Sequence, residues 1–306
     1  MRNRLVIGTR GSALALWQAK YVAKEIETAF SNLSVDLQIF KTKGDHILDR
    51  PLAEIGGKGL FTKELEVALL AGEIDLAVHS LKDMPTEFPE GLVLAATPRR
   101  ADIRDCLVTR IGDTLAPKVV GTASLRRMAL GQRRLPDATF RSIRGNVETR
   151  MNKLFAQGDE RCDAVILANA GLQRLALTQN REDVAFLPMN PEVFIPAAGQ
   201  GALAIECREA DAELRTLLDH LNDPFTRICI TAERSFLAGV EGSCRVPVGA
   251  YATNDGENIR LKCFVSSVCG QQYLDEIVVG KDAERLGREA AQTILGRGGR
   301  EILDAL

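Results

Sequence analysis

Residues 4–41 read RLVIGTRGSALALWQAKYVAKEIETAFSNLSVDLQIFK. The opening run, RLVIGT, has the continuous apolar character of a buried strand. Ser12 stands where a helix needs an N-cap, and Ala15, Ala19, Val22, Ala23, Ile26 and Phe30 then recur at helical spacing. From residue 35 to 41 the pattern changes to strand-like alternation, VDLQIFK. Further along, Phe61, Leu65, Ala68 and Leu69 mark another helix, and IDLAV (74–78) and GLVLAA (91–96) read as strands. This alternation argues for an α/β protein with a largely parallel sheet covered by helices on both faces.

Thr97-Pro98-Arg99-Arg100 reads as a hinge, after which the pattern restarts. Strands are expected at 106–109, 118–122, 139–143 and 164–168, and helices near 124–134, 147–157 and 171–177. A second Pro/Gly-rich stretch, 194–201 (FIPAAGQG), precedes a strand-like ALAIEC (202–207). Two crossings imply that the chain leaves its first domain, builds a second and returns. Two-lobed proteins of this kind bind ligands in a cleft and close about the hinge. From about residue 220 the texture changes to a helix (224–239), three strand-like runs (246–252, 258–267, 272–279) and a helix from 283. That order fits a small α+β domain with antiparallel strands. The expected division is therefore 1–98 with 200–219, then 99–199, then 220–306.

Composition narrows the function classes. Of 306 residues, 39 are Lys or Arg and 41 are Asp or Glu, giving a net charge of −2. The 45% hydrophobic fraction argues against disorder. No apolar run approaches the roughly 18 residues of a spanning helix. Without a basic balance, and with only 5% aromatics, the chain does not read as a nucleic-acid binder. The seven cysteines are odd in number and include no C-x-x-C pair, and the three histidines are scattered. Reduced thiols, no metal and a cytoplasmic location without a secretion signal are expected.

The strongest local signal is residues 121–150, GTASLRRMALGQRRLPDATFRSIRGNVETR, with seven arginines, no lysine and two acids. Arginine's planar fork binds carboxylate or phosphate in a bidentate manner, so this stretch suits a polyanionic small molecule. A solvated basic helix face is the alternative, and Arg133 and Arg134 are assigned to it. Arg10, Ser124 and Arg144 (in Arg144-Gly145-Asn146) each fall at a strand end before a helix, where ligands of open α/β sheets bind. Asp83, in HSLKD, also follows a strand and suits proton handling or cation stabilisation, with a turn or cap role as the alternative. Gly56-Gly57-Lys58-Gly59 lacks the Walker pattern and reads as a mobile flap within a 44–60 loop. Cys244 lies in a turn beside Arg245, which favours its thiolate; a structural thiol is the alternative. The other six cysteines read as buried fillers.

Eight segments carry a resemblance: TRGSALALWQA, KGDHILDRPLAEIGGKGLFTKELE, AVHSLKDMPTE, VGTASLRRMA, RSIRGNVETR, ILANAGLQRL, PAAGQGALAIECR and EGSCRVPVGAY. In this order, over nearly the whole chain, they are similar to the porphobilinogen deaminase (hydroxymethylbilane synthase) family. The resemblance implies two periplasmic-binding-protein-like α/β domains forming a cleft, plus a small C-terminal domain. It implies a transferase that joins four porphobilinogen molecules head to tail, releasing ammonia, to give hydroxymethylbilane on a covalent dipyrromethane primer.

By the same resemblance Cys244 is the thioether attachment point, and Asp83 assists loss of the amine and stabilises the resulting azafulvene cation. Lys82, Ser80, Thr122, Ser124, Arg126, Arg127, Arg144 and Gly145 hold the cofactor. Arg10, Gln18, Arg150, Gln200 and Lys58 meet substrate. Glu54 departs from members that carry Lys there, so a carboxylate-binding role does not transfer to it. No nucleic acid or membrane partner is implied, and a monomer is expected. The rival readings are a non-catalytic two-lobed carboxylate receptor and a cysteine hydrolase; the latter lacks an identifiable His partner for the thiol.

Overall fold

The computed structural model describes residues 2–46, 59–113, 116–179, 181–242 and 246–306. In chain order, the first elements are β1 (Arg4–Arg10), α1 (Ala13–Ala29), β2 (Ser34–Phe40), α2 (Lys43–His46), α3 (Lys63–Leu70), β3 (Leu76–Ser80) and β4 (Leu92–Ala96). Next come β5 (Asp105–Arg110), β6 (Val119–Gly121), α4 (Leu125–Arg134), β7 (Thr139–Arg141), α5 (Val147–Met151), β8 (Ala164–Ala168), α6 (Asn169–Arg174) and β9 (Val184–Pro188). The chain returns through β10 (Leu203–Arg208) and α7 (Ala212–Asp219). It ends with α8 (Pro224–Gly239), β11 (Val248–Asn254), β12 (Ile259–Ser266), β13 (Tyr273–Gly280), α9 (Ala283–Ile294) and α10 (Arg300–Asp304).

Two compact units result, one from residues up to 101 with 201–227, the other from 102–200 with 228–306. The first holds a sheet ordered β2-β1-β3-β10-β4. One face of that sheet offers Leu5, Ile7, Leu76, Val78, Leu203, Ile205 and Cys207 to Ala19, Val22, Ala23 and Ile26 of α1 and to α7. The helix starts where expected, with the Ser12 hydroxyl accepting from the Ala15 amide at 3.3 Å. On the opposite face Ala77 meets Leu65, Ala68 and Leu69 of α3.

The second unit holds a sheet ordered β7-β6-β8-β5-β9 and the antiparallel sheet β11-β12-β13. Alternate residues of β5 and β8 feed two cores, one toward α4 (Leu107, Ile166) and one toward α5 (Cys106, Val108, Val165, Leu167). Phe264 of β12 is fully buried in the α4-side core beside Leu107, Leu130 and Ile195. Segment 196–199 is fastened to the C-terminal residues. The Gly199 amide donates to Glu233 at 2.7 Å, Glu233 also accepts from Ala252 at 2.9 Å, and the Ala250 amide donates to Pro196 O at 3.0 Å.

The expected antiparallel strands of the C-terminal part are present. Both five-stranded sheets are largely parallel as expected, four strands running one way, but each is mixed. In one, β1 pairs in parallel with β2 and β3, but β10 runs antiparallel between β3 and β4. In the other, β6 pairs in parallel with β7 and β8, but β5 runs antiparallel between β8 and β9. In each sheet the reversed central strand is the first one laid down after a crossing. Strand β9 was not expected, and residues 43–46 are helical rather than loop.

Candidate functional site

The parallel strands of each mixed sheet end on one edge, and the candidate side chains collect there. In the first unit, Arg10 ends β1 and its guanidinium lies over the Phe61 ring, 4.2 Å from the centroid. Ser80 ends β3, and its hydroxyl accepts a 2.8 Å hydrogen bond from Nε2 of Gln18, a buried amide on α1. Leu81–Asp83 follow as a 3-10 turn. Backbone groups close it: the Leu81 amide donates to Ala202 O at 3.1 Å and the Met84 amide to Leu81 O at 3.0 Å. Lys82 is half-buried and Asp83 exposed. Among the described residues no group bonds the Asp83 carboxylate, so Asp83 does not hold the turn as a cap.

In the second unit β6 ends at Gly121. The Thr122 hydroxyl accepts from the Ser124 amide at 3.2 Å, and the Ser124 hydroxyl caps α4 through the Arg127 amide at 3.4 Å. Arg126 and Arg127 in the first turn of α4 are 4% and 6% exposed. Both guanidiniums turn onto Asp105, which the sequence reading did not single out. Arg126 donates to its Oδ2 at 2.7 Å, Arg127 to its Oδ1 at 2.8 Å, and Gln200 Nε2 to Oδ1 at 3.0 Å. Arg126 also donates to Ile195 O at 2.7 Å and Arg127 to Ile166 O at 2.9 Å. Burial alone would raise the Asp105 carboxyl, but the two guanidiniums hold it well below the usual carboxylate range.

Asp105 reaches this edge because β5 is reversed: its first residue pairs with Ala168, the last of β8. Past β7, Gly145 adopts φ 104°, a conformation that side-chain-bearing residues avoid. Around it, Asn146 caps α5 through the Thr149 amide at 2.8 Å, and Arg150 Nε donates to Gly145 O at 2.8 Å. Arg150 thus holds the turn that presents the half-buried Arg144. Arg133 is exposed, as expected of a surface arginine, yet it has partners. It lies over the Tyr273 ring at 4.1 Å and donates to Gly270 O at 3.0 Å, tying α4 to the C-terminal sheet.

Lys58, Glu54 and Cys244 lie outside the described residues. Cys106, Cys162, Cys207, Cys229 and Cys263 are buried as expected, and burial pushes Cys106 up to about 12 and Cys207 to about 11. Cys269 departs from expectation: it is exposed, and its contact with the Ser267 hydroxyl at 3.3 Å lowers its pKa. Among the described residues no group of three His, Cys, Asp or Glu side chains could hold a metal, and no helix is long and apolar enough to cross a membrane.

The donors at these edges are guanidiniums, an ammonium, hydroxyls and turn amides, a set matched to several carboxylates at once. Fold and donors together define an α/β protein that binds a multiply carboxylated ligand. Family models agree: "Porphobilinogen deaminase, dipyromethane cofactor binding domain" matches residues 5–216, and "Porphobilinogen deaminase, C-terminal domain" matches 227–296. Relatives named porphobilinogen deaminase include those of Exiguobacterium sp. (44% identical, covering 98% of each chain) and Pelobacter propionicus (47%, covering 99% of this chain and 97% of the relative). The Geobacter sulfurreducens relative is 47% identical over 98% of this chain and 94% of its own.

Among solved structures, the periplasmic aliphatic sulphonate binding protein SsuA from Escherichia coli is 12% identical (TM-score 0.44, covering 97% of this chain and 88% of that one). The BenM effector binding domain with benzoate is 13% identical (TM-score 0.44, covering 71% and 90%).

The chain belongs to the porphobilinogen deaminase family. It is a transferase of tetrapyrrole and heme biosynthesis that condenses four porphobilinogen molecules, with loss of ammonia, to hydroxymethylbilane, and it carries a dipyrromethane cofactor.

Proposed function

We propose that Asp83 is the catalytic carboxylate of this condensation. The observation that carries this reading is its state in the fold: exposed at the carboxyl end of β3, capping nothing and bonded to no described residue. Loss of ammonia leaves positive charge spread over a pyrrole ring and its nitrogen. A fixed carboxylate stabilises that developing charge and accepts hydrogen bonds from pyrrole N–H groups. Ser80, held by Gln18, and Lys82 flank it.

The cofactor, when bound, would supply the terminal pyrrole to which the first unit is joined, each later unit joining the one before it. Cys244 is proposed as its attachment point, and Lys82, Ser80, Thr122, Ser124, Arg126, Arg127, Arg144 and Gly145 as the groups that receive its carboxylates. Arg10, Gln18, Arg150, Gln200 and Lys58 are proposed to bind and orient substrate. Arg126 and Arg127 enter this set with their orientation fixed by Asp105. The three-part division at 1–98 with 200–219, 99–199 and 220–306 is proposed as the working domain structure, in a cytoplasmic monomer. Light scattering on the purified protein tests the monomer.

The decisive experiment is single-turnover product formation by holo-protein. Asp83→Asn keeps the size but removes the charge, and should slow turnover about a hundred- to a thousand-fold without a change in melting temperature. Asp83→Glu should retain more activity than Asp83→Asn. Near-wild-type turnover in the Asn variant would leave Asp83 outside the chemistry.

A further inference from the structure

On the sheet face covered by α3, directly below the end of β3, three titratable side chains are buried together. Glu66 of α3 is 9% exposed, His79 of β3 6% and Glu206 of β10 not at all. The register explains their meeting: His79 pairs with Ala204 and Ala77 with Glu206, so all four point to the face on which α3 packs. His79 Nε2 lies 3.2 Å from Glu206 Oε2, yet the two are not aligned as a hydrogen bond.

Eight buried side-chain atoms among the described residues lack a hydrogen-bond partner, and six fall in this layer. They are Thr62 Oγ1, Glu64 Oε2, Glu66 Oε1, His79 Nε2 and both Glu206 carboxylate oxygens. Gly59 closes over them; a Cβ there would lie 3.2 Å from Thr62 Oγ1 and 3.8 Å from Glu66 Oε2.

Buried polar atoms are ordinarily paired, so six orphans in one layer mark a place kept for something other than stability. The layer abuts the turn: His79 immediately precedes Ser80, and Leu203, three residues before Glu206, pairs with Ser80. The groups facing the pair are Glu66, Glu64 and Thr62 from α3 and its start. From β1, Gly8 lies beside Ala77 and Arg10, two residues on, shares that face; β4 sets Leu94 beside Glu206, and Arg208, two residues past Glu206 on β10, bonds the end of α3. Burial raises the Glu66 carboxyl above its ordinary value and Glu206 adds to the shift, against the pull of Thr62 and His79.

We propose that Glu66, His79 and Glu206 form one buried cluster that positions the turn bearing Ser80, Lys82 and Asp83. His79 and Glu206 then serve the reaction through Asp83, without touching substrate; the inference rests on the role given to Asp83 above. With Glu66 protonated the cluster holds the turn. Loss of that proton as pH rises sets a negative charge in the buried layer and loosens it.

A double-mutant cycle on holo-protein tests the positioning. His79→Gln should slow single turnover up to about a hundred-fold with KM unchanged, and should add nothing in an Asp83→Asn background. Equal slowing in both backgrounds overturns the positioning role while leaving Asp83 catalytic. A neutral Asp83→Asn instead removes the role of Asp83, and this inference with it. Should His79→Gln not fold, Glu206→Gln, which keeps the shape, carries the same cycle.

Amide hydrogen exchange supplies a readout apart from activity. Protection at Leu81 and Met84 should fall toward alkaline pH in the wild type and hold in Glu66→Gln. The same pH dependence in both proteins overturns the role of the Glu66 proton.

Discussion

Asp105→Asn is the sharpest test of how the arginines are held. In the wild type the carboxylate accepts from Arg126 at 2.7 Å, Arg127 at 2.8 Å and Gln200 at 3.0 Å, with no exposure to solvent. Asparagine keeps one acceptor oxygen and turns an NH2 group toward donors on the other side. Two buried guanidiniums then lose their common counter-charge. Two charge-assisted hydrogen bonds at about 1.5–3 kcal/mol each give about 3–6 kcal/mol, in line with the cost of about 3–5 kcal/mol for stranding one partner of a buried ion pair. That is a large share of the 5–15 kcal/mol that holds a typical domain folded.

Urea unfolding followed by far-UV circular dichroism measures the loss. The pH dependence has a defined sign. The Asp105 carboxyl is depressed in the fold, so its contribution is fully present above the unfolded value of about 4 and is lost as pH falls. The gap between wild type and variant should therefore hold at neutral pH and narrow below about pH 4. A difference under about 1 kcal/mol at neutral pH would refute the account of Asp105 as the anchor of both arginines.

Intact mass and peptide mapping should find the dipyrromethane adduct lost in Cys244→Ser and kept in Cys269→Ser, although Cys269 is the exposed thiol among those described; an adduct on Cys269 would reverse the assignment. Arg133→Ala should cost roughly 1–2 kcal/mol by losing its ring contact and its bond to Gly270, while leaving KM alone. Arg144→Ala should do the opposite, raising KM about ten- to a hundred-fold at constant stability. Gly145→Ala should lower the melting temperature, since φ 104° is strained for alanine and its Cβ would lie 2.7 Å from Thr149 Cγ2.

The local signals read from the sequence were those that depend on few neighbours. Ser12 caps α1, Ala19, Val22 and Ile26 face the sheet, and Arg10, Ser124 and Arg144 sit at strand ends because periodicity and capping act within a turn or two. Strand direction is a different matter. DCLVTR and LAIECR alternate and bury as parallel strands would, and only the path of the chain between sheets reverses them.

That reversal hid Asp105, which in the sequence is one acid opening an apolar run. It also hid the meeting of His79 and Glu206, which are far apart in the chain. The contacts of Arg133 were not legible because its partner ring, Tyr273, lies on a distant strand.

The seat of Phe264 bears on the order in which the protein can be made. The five-stranded sheet of the second unit is complete when Pro188 has been synthesised, but the α4-side core still lacks the ring that β12 delivers. At about 5–20 residues per second, the stretch from Pro188 to Phe264 takes roughly 4–15 s. For that interval Leu107, Leu130 and Ile166 border a vacant place in a nascent chain. Chaperone dependence during synthesis should accordingly concentrate in this window and deepen in a Phe264→Ala chain, whose gap is never filled.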